Sequence, residues 1–330
     1  MKIVFTSVRK DEKSYFLENL KQFHILEFQQ TINKIDPEKV KDADILSVFI
    51  FDRLDRETLS KFDNLKLIIT RSTGVDHIDL KYCRQKGIKV AHIPGYSPES
   101  IAEHTFGLIL CLTRKLKKIE KRAERLDYSI QPEIMGKDLY TLSLGIIGTG
   151  RIGTAVARIA SAFRMKIFAY DIRENPEVID LGGEYLPLEE LLKKSDIITL
   201  HTPLTDKTYH LIDRKAISLM KDGVILINTS RGGVVDTDAV YEALQSGKIA
   251  GLGLDVFEDE KILMLNQYEE GKSSDKVMKI LKLNSQDNVV VTPHVAFFTE
   301  KATENIKHMT VECIKKFIQG EDISDCLVVA

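Results

Sequence analysis

Short runs of Val, Ile and Leu recur along the chain, and between them the apolar positions change to helical spacing. KIVFTS (2–7), ADILSVFI (43–50), LKLIITRS (65–72) and IKVAHIP (88–94) are such runs, with little polar alternation. Strands buried on both faces of a parallel sheet have this pattern. DEKSYFLENLKQF (11–23) reads as a helix between the first two. SPESIAEHTFGLILCLTRKLKKIEKRAERL (97–126) predicts one long helix, with Ser97 as N-cap and Pro98 in the first turn. The pattern then begins again. LSLGIIG (142–148) is followed by helix RIGTAVARIASAFRM and by strands KIFAYD, DIITLHTP (196–203), GVILINTS (223–230), GLGLDVF (251–257) and NVVVTPH (288–294). Residues 261–287 read as a loop-plus-helix insertion. TEKATENIKHMTVECIKKFIQG (299–320) predicts a last helix with an apolar stripe through Ile306, Met309, Ile314 and Phe317. Strand alternating with helix, twice over, implies an α/β protein with two parallel-sheet domains and a cleft between them. From the pattern alone the division falls at the long helix.

Composition narrows the function classes. At 330 residues the chain suits about two domains. A net charge of −2 gives no global attraction to nucleic acid or to a membrane surface. The basic stretch RKLKKIEKRAER (114–125) has Glu120 and Glu124 interleaved and reads as the solvated face of a helix. No apolar run approaches the ~20 residues of a membrane span, and MKIVFTSVRKDEK lacks the form of a signal peptide. Cys83, Cys111, Cys313 and Cys326 are far apart in sequence and have no metal-ligand spacing. They are expected to be reduced, mostly packed thiols of a cytoplasmic protein with no metal site.

GIIGTGRIG carries G-x-G-x-x-G at Gly148, Gly150 and Gly153. The motif alone is weak, but here it follows an apolar strand and opens a helix through Arg151 and Ile152. The glycines then allow a tight turn, close approach of backbone to a pyrophosphate and close helix–strand packing. Asp171 ends the next strand, where a carboxylate accepts hydrogen bonds from ribose hydroxyls and repels a 2′-phosphate. This predicts NAD rather than NADP. The nearby Arg173 counts mildly against that choice.

Ligands of doubly wound sheets bind beyond the carboxyl ends of the strands. Arg231 closes strand 223–230, Asp255 falls within or at the end of strand 251–257, Glu260 follows it, and His294 closes strand 288–294. The arginine fork suits the carboxylate and ketone of a 2-oxo acid. The imidazole can deliver a proton as hydride reaches carbon. A glutamate bonded to that ring fixes its tautomer and favours its protonated form. Singly, Glu260 in EDEK suits an exposed acidic run and His294 a packed histidine. Together, beside a dinucleotide motif, they point to catalysis.

These stretches, with RSTGVDHID (71–79), PGYSPESIAEHT (94–105), LHTPLTDKT (200–208) and TPHVAFFT (292–299), resemble the D-isomer-specific 2-hydroxyacid dehydrogenase family over essentially the whole chain. Within it the likeness is to the NAD-dependent D-lactate dehydrogenase branch. The resemblance implies two doubly wound domains, a Rossmann-type NAD-binding domain (99–298) inserted into a flavodoxin-like substrate domain (1–98 and 299–330). Helices 97–126 and 299–320 would then be the crossings and the hinges of cleft closure. It implies Arg231, Glu260 and His294 as the catalytic residues and Asp255 as a contact to the nicotinamide. Thr202, Pro203 and Thr229 join the cofactor site by the same likeness. Thr73, Gly74 and Tyr96 join Arg231 and His294 around the substrate. It also implies a homodimer. Gly233 departs from the family pattern and suggests a looser loop beside Arg231. Pyruvate and bulkier 2-oxo acids both stay open as substrates, and so does a dinucleotide-sensing binding protein of the same fold.

Overall fold

A computed structural model describes residues 1–265, 267–269 and 274–329. Its strands are β1 (Lys2–Phe5), β2 (His24–Glu27), β3 (Ile45–Val48), β4 (Leu67–Thr70), β5 (Lys89–His92), β6 (Ser143–Ile147), β7 (Lys166–Tyr170) and β8 (Glu184–Tyr185). β9 (Ile197–Leu200), β10 (Val224–Asn228), β11 (Ile249–Leu254), β12 (Val289–Val291) and β13 (Leu327–Val329) complete them. The chain forms two compact units, one of residues 1–97 with 299–330, the other of residues 98–298.

The first unit holds a six-stranded sheet in the order β13-β5-β4-β3-β1-β2. All its pairings are parallel except that of β13 on β5. Read from β2, the order 2-1-3-4-5 is that of a flavodoxin-like sheet. β3 and β4 are buried along their whole length, as their unbroken apolar runs require. The second unit holds seven parallel strands in the order β12-β11-β10-β9-β6-β7-β8. This is the Rossmann order, and it reverses between β6 and β9. Residues from both faces of this sheet are buried in apolar clusters, one holding Leu226 and Leu252, the other Ile146 and Ile197.

Several elements depart from the sequence pattern. The single helix expected over 97–126 is two, Pro98–Thr113 and Leu116–Glu124. The break is at Lys115, which takes left-handed backbone at φ 54°. Eight residues of the first helix are buried and none of the second, so packing holds only the first against the sheet. The basic stretch is not merely a solvated face. Lys117 Nζ donates to the carbonyls of Asn284 (2.5 Å), Gln286 (3.0 Å) and Val289 (2.9 Å), and so caps the end of helix Asp275–Asn284. β2, β8 and β13 were not expected. They are edge strands of two to four residues, too short to carry a periodicity. In the 261–287 insertion, short helix Lys261–Met264 precedes helix Asp275–Asn284, and positions 266 and 270–273 lie outside the described residues.

Candidate active site

The loop after β6 is built around glycines with separate tasks. Gly148 has φ 94°, and a Cβ there would lie 2.6 Å from the His201 carbonyl oxygen. A Cβ on Gly153 would lie 1.9 Å from the Gly148 oxygen, so the helix packs hard on the loop. Gly150, the N-cap of helix Arg151–Ala162, differs from both. A Cβ there would meet nothing in the protein. The space that this glycine clears therefore lies outside the chain, beside a helix N-terminus that favours phosphate. Asp171 Oδ2 accepts from the Thr149 amide at 2.6 Å and fastens the loop to the end of β7. Tyr185 on β8 donates to Thr149 Oγ1 at 2.7 Å, a support the sequence did not reveal. Arg173 and Ile172 are exposed, Ile172 almost fully.

β9 brings the second wall of this site. Pro203 is exposed, and the Thr202 hydroxyl is buried with no hydrogen-bond partner among the described residues. A buried polar atom held without a partner is costly unless a ligand completes it. The ring of His201 bonds to Thr199 Oγ1 at 2.9 Å, and burial pulls its pKa down to about 3. His201 is thus a neutral structural histidine. Thr229, beyond β10, is buried and bonds to Thr105 Oγ1 at 3.0 Å. These features fit a dinucleotide across the switch point: a cleared phosphate cradle, a waiting hydroxyl and a carboxylate at the end of β7.

Beyond β10, β11 and β12 stand the polar groups read from the strand ends. His294 Nδ1 lies 2.9 Å from Glu260 Oε1, and the two side chains are 19% and 14% exposed. Glu260 is therefore not part of a solvated acidic run. An ionised carboxylate only accepts, so Nδ1 carries the hydrogen and Nε2 points away from the pair. Glu260 Oε2 accepts from the Phe257 amide at 3.1 Å, which fixes the carboxylate in turn. His294 itself has φ 55°. Its amide donates to the carbonyls of Asp255 (2.9 Å) and Thr292 (3.0 Å).

Asp255 is 1% exposed and builds that turn. Its carboxylate accepts from Thr292 Oγ1 (2.5 Å), the Val295 amide (2.9 Å) and the Ala296 amide (2.9 Å). Asp255 was expected as a ligand contact. In the protein its carboxylate clamps the histidine turn, and Thr292 passes that connection to His104 Nε2 at 3.0 Å. Phe297 is buried and Phe298 about half exposed, with the rings edge-on 5.9 Å apart.

Arg231 Nη1 donates to the Ser230 carbonyl at 2.7 Å. Its loop lies against the Glu260 loop because residue 232 is glycine: a Cβ there would lie 2.2 Å from the Phe257 carbonyl. The looseness expected from Gly233 is absent. Its carbonyl accepts from the His210 amide at 2.8 Å, and a Cβ would lie 3.2 Å from the Leu204 side chain. Glu258 joins these loops. It is 8% exposed and accepts from His210 Nε2 (2.9 Å), the Thr237 amide (3.0 Å) and Lys276 Nζ (2.5 Å). Burial alone would raise its pKa. The bonds from Lys276, His210 and Thr237 outweigh that and hold it at about 2. His210, Asp236 and Glu258 have ligand-type atoms within 4.8 Å of one another. The Lys276 ammonium already stands against Glu258 where a cation would bind.

The other unit carries the remaining residues of interest. Exposed Thr73 has its carbonyl on His92 Nδ1 at 2.7 Å and its hydroxyl on the Ile93 carbonyl at 3.2 Å. Ser72 Oγ donates to the Gly74 carbonyl at 2.8 Å. The Tyr96 carbonyl accepts from Asn305 Nδ2 at 2.7 Å.

Residues 106–296 match the family described as D-isomer specific 2-hydroxyacid dehydrogenase, NAD binding domain. The structure is similar to that of a D-lactate dehydrogenase from Aquifex aeolicus complexed with NAD and lactic acid. The two chains are 50% identical over 99% of each, with a TM-score of 0.96. A 2-hydroxyacid dehydrogenase homolog of Haemophilus influenzae is 38% identical, covering 97% of each chain. An aromatic 2-oxoacid reductase of Clostridium sporogenes is 39% identical, covering 96% of each.

Proposed function

Because the chain belongs to the NAD-dependent D-isomer-specific 2-hydroxyacid dehydrogenase family, we propose that it reduces pyruvate to D-lactate, reversibly, with Arg231, Glu260 and His294 as its catalytic residues. The observation that carries the assignment of roles is the 2.9 Å contact of His294 Nδ1 with Glu260 Oε1 beyond the carboxyl ends of the sheet. Bound NADH supplies the hydride. Arg231 pairs with the substrate carboxylate through its planar fork and draws electron density from the ketone. His294 donates from Nε2 to the ketone oxygen as the alkoxide develops, and takes the proton back in the reverse direction. Glu260 keeps the ring oriented and offsets its positive charge. Positioned proton transfer of this kind contributes about 10²- to 10⁴-fold.

In the same reading the loop Gly148–Gly153, with Arg151 and Ile152, holds the pyrophosphate, and Asp171 the adenosine ribose. Thr202, Pro203, Thr229 and Asp255 complete the cofactor site. Thr73, Gly74 and Tyr96, in the flavodoxin-like unit, receive the substrate carboxylate; family likeness supports this assignment. The four cysteines are free thiols, which suits a reducing cytoplasm. The chain works as a homodimer through residues 116–140. Leu126, Tyr128, Ile130, Met135 and Tyr140 are each more than half exposed, an apolar load that a partner surface would cover.

NADH oxidation with glyoxylate, pyruvate, phenylpyruvate and 2-oxoisocaproate tests the substrate, and NAD reduction with the two lactate enantiomers tests the stereochemistry. Pyruvate should give the highest kcat/KM and D-lactate the only reverse reaction. Preference for phenylpyruvate or 2-oxoisocaproate would replace pyruvate in this reading. Tight NADH binding without turnover of any 2-oxo acid would make the protein a dinucleotide sensor. Light scattering should give twice the mass of one chain.

A further inference from the structure

Cys313 and Cys326 are separated in sequence, yet the fold brings their sulfurs to 2.9 Å. Helix Glu300–Gln319 presents Cys313 on its buried face, and Cys326 precedes β13. Both are free thiols. The environments of the two are unequal. Cys313 is 4% exposed, while Cys326 is only partly buried. The Cys326 backbone is held as well: its amide donates to the Ile323 carbonyl at 3.0 Å, and its carbonyl accepts from the His92 amide at 2.8 Å. A disulfide needs its sulfurs at about 2.05 Å, so closing the bond asks for less than 1 Å of movement. The other two cysteines, Cys83 and Cys111, have no such neighbour among the described residues.

We infer that Cys313 and Cys326 form a reversible disulfide on exposure to peroxide, a redox modification site that locks β13 onto the sheet of its unit. Cys326 reacts first. It is the more accessible sulfur, and the Cys313 thiol beside it favours its thiolate, while Cys313 itself is held protonated. The Cys326 thiolate attacks one peroxide oxygen, the O–O bond breaks, and the hydroxide that leaves takes a proton to become water. Cys313 sulfur then attacks the Cys326 sulfenic sulfur. An S–S bond forms, the S–O bond breaks, and a second water departs with the Cys313 proton. The two sulfurs lose two electrons, and peroxide gains them as it becomes two waters. A dithiol reductant reverses the bond by exchange.

The lock acts on a defined segment. β13 is an edge strand of three residues, paired with β5 through Val329–Val90 and Leu327–Ala91. A cross-link from Cys326 to the long helix removes freedom from the unfolded chain and suppresses local opening of that edge. The pair holds the strand next to His92, whose side chain bonds to the Thr73 carbonyl.

The test uses the full-length protein, reduced and then treated with hydrogen peroxide, with thiols alkylated after denaturation. Peptide mapping should find residues 313 and 326 linked and two hydrogens lighter, with Cys83 and Cys111 alkylated, and dithiothreitol should restore all four thiols. The oxidised form should melt about 5 °C higher. Amide exchange at 89–93 and 326–329 should slow. C326S should form no linked peptide and gain no thermal shift. Alkylation of all four cysteines after peroxide would overturn the inference. So would Cys326 sulfinic acid with Cys313 still alkylated, or a linked pair that leaves amide exchange at β5 and β13 unchanged.

Discussion

His294 occupies left-handed backbone, φ 55°, where residues with a Cβ are uncommon. Holding such a residue there costs about 1–3 kcal/mol and persists only where the surroundings over-determine it. Here they do. Asp255 takes the amides of Val295 and Ala296 on its carboxylate, and its own carbonyl takes the amide of His294. The turn aims one imidazole, and Glu260 fixes its rotation. Asparagine tolerates this backbone region better than histidine but offers no acid. His294→Asn should therefore lower kcat by at least about 10²-fold while the melting temperature stays within a few degrees of wild type. A steady-state assay paired with a thermal melt checks both halves. Asp255→Asn turns one acceptor oxygen into a donor facing amides. It should lower stability by about 1–3 kcal/mol in urea unfolding, and activity with it.

At the scale of elements, the proposed catalytic groups sit on loops after the neighbouring strands β10, β11 and β12, and Glu258 ties the loop after β11 to the segments around it. It joins His210 on the loop after β9, Thr237 at the start of the helix after β10, and Lys276 on the insertion helix. Its pKa lies near 2 in the fold, below the ordinary 4.5. A lowered carboxylate pKa contributes stability that is complete above about 4.5 and is lost as pH falls toward about 2. Glu258→Gln has no charge to lose. The variant should be less stable than wild type near neutral pH, and the gap should narrow as pH falls through that window. Urea midpoints at about pH 7 and pH 3 measure it. The insertion thus has a structural task that its sequence did not announce: Lys276 reaches Glu258, and Lys117 caps the helix that bears Lys276.

At the scale of the molecule, the chain forms two sheet units, and the unit of residues 98–298 carries the dinucleotide features. A ligand bound only by the folded state stabilises it by RT ln(1 + [L]/Kd), about 2.7 kcal/mol at a hundredfold excess over Kd. NADH should raise the melting temperature, and NADPH much less, because Asp171 opposes a 2′-phosphate. Asp171→Ser should narrow that difference, and an NADPH shift equal to that of NADH in the wild type would refute the assignment. Local pattern was enough to determine the buried strands of both sheets, the glycine loop and the strand ends from which Arg231, Asp255 and His294 emerge, but not the short edge strands β2, β8 and β13. Buried parallel strands are continuous apolar runs, and a phosphate loop needs glycines at fixed spacing, so both are written in adjacent residues. The pairing of Glu260 with His294 is already expected from the residues and the family resemblance, although Glu260 lies in an acidic run of ordinary appearance; the fold adds the 2.9 Å distance and the shielding of the pair. The tertiary structure alone decided where the long helix breaks, what Glu258 and Lys276 do, and that Cys313 meets Cys326. Each of these depends on residues distant in sequence meeting across packed elements, and periodicity along one segment carries no record of its partner.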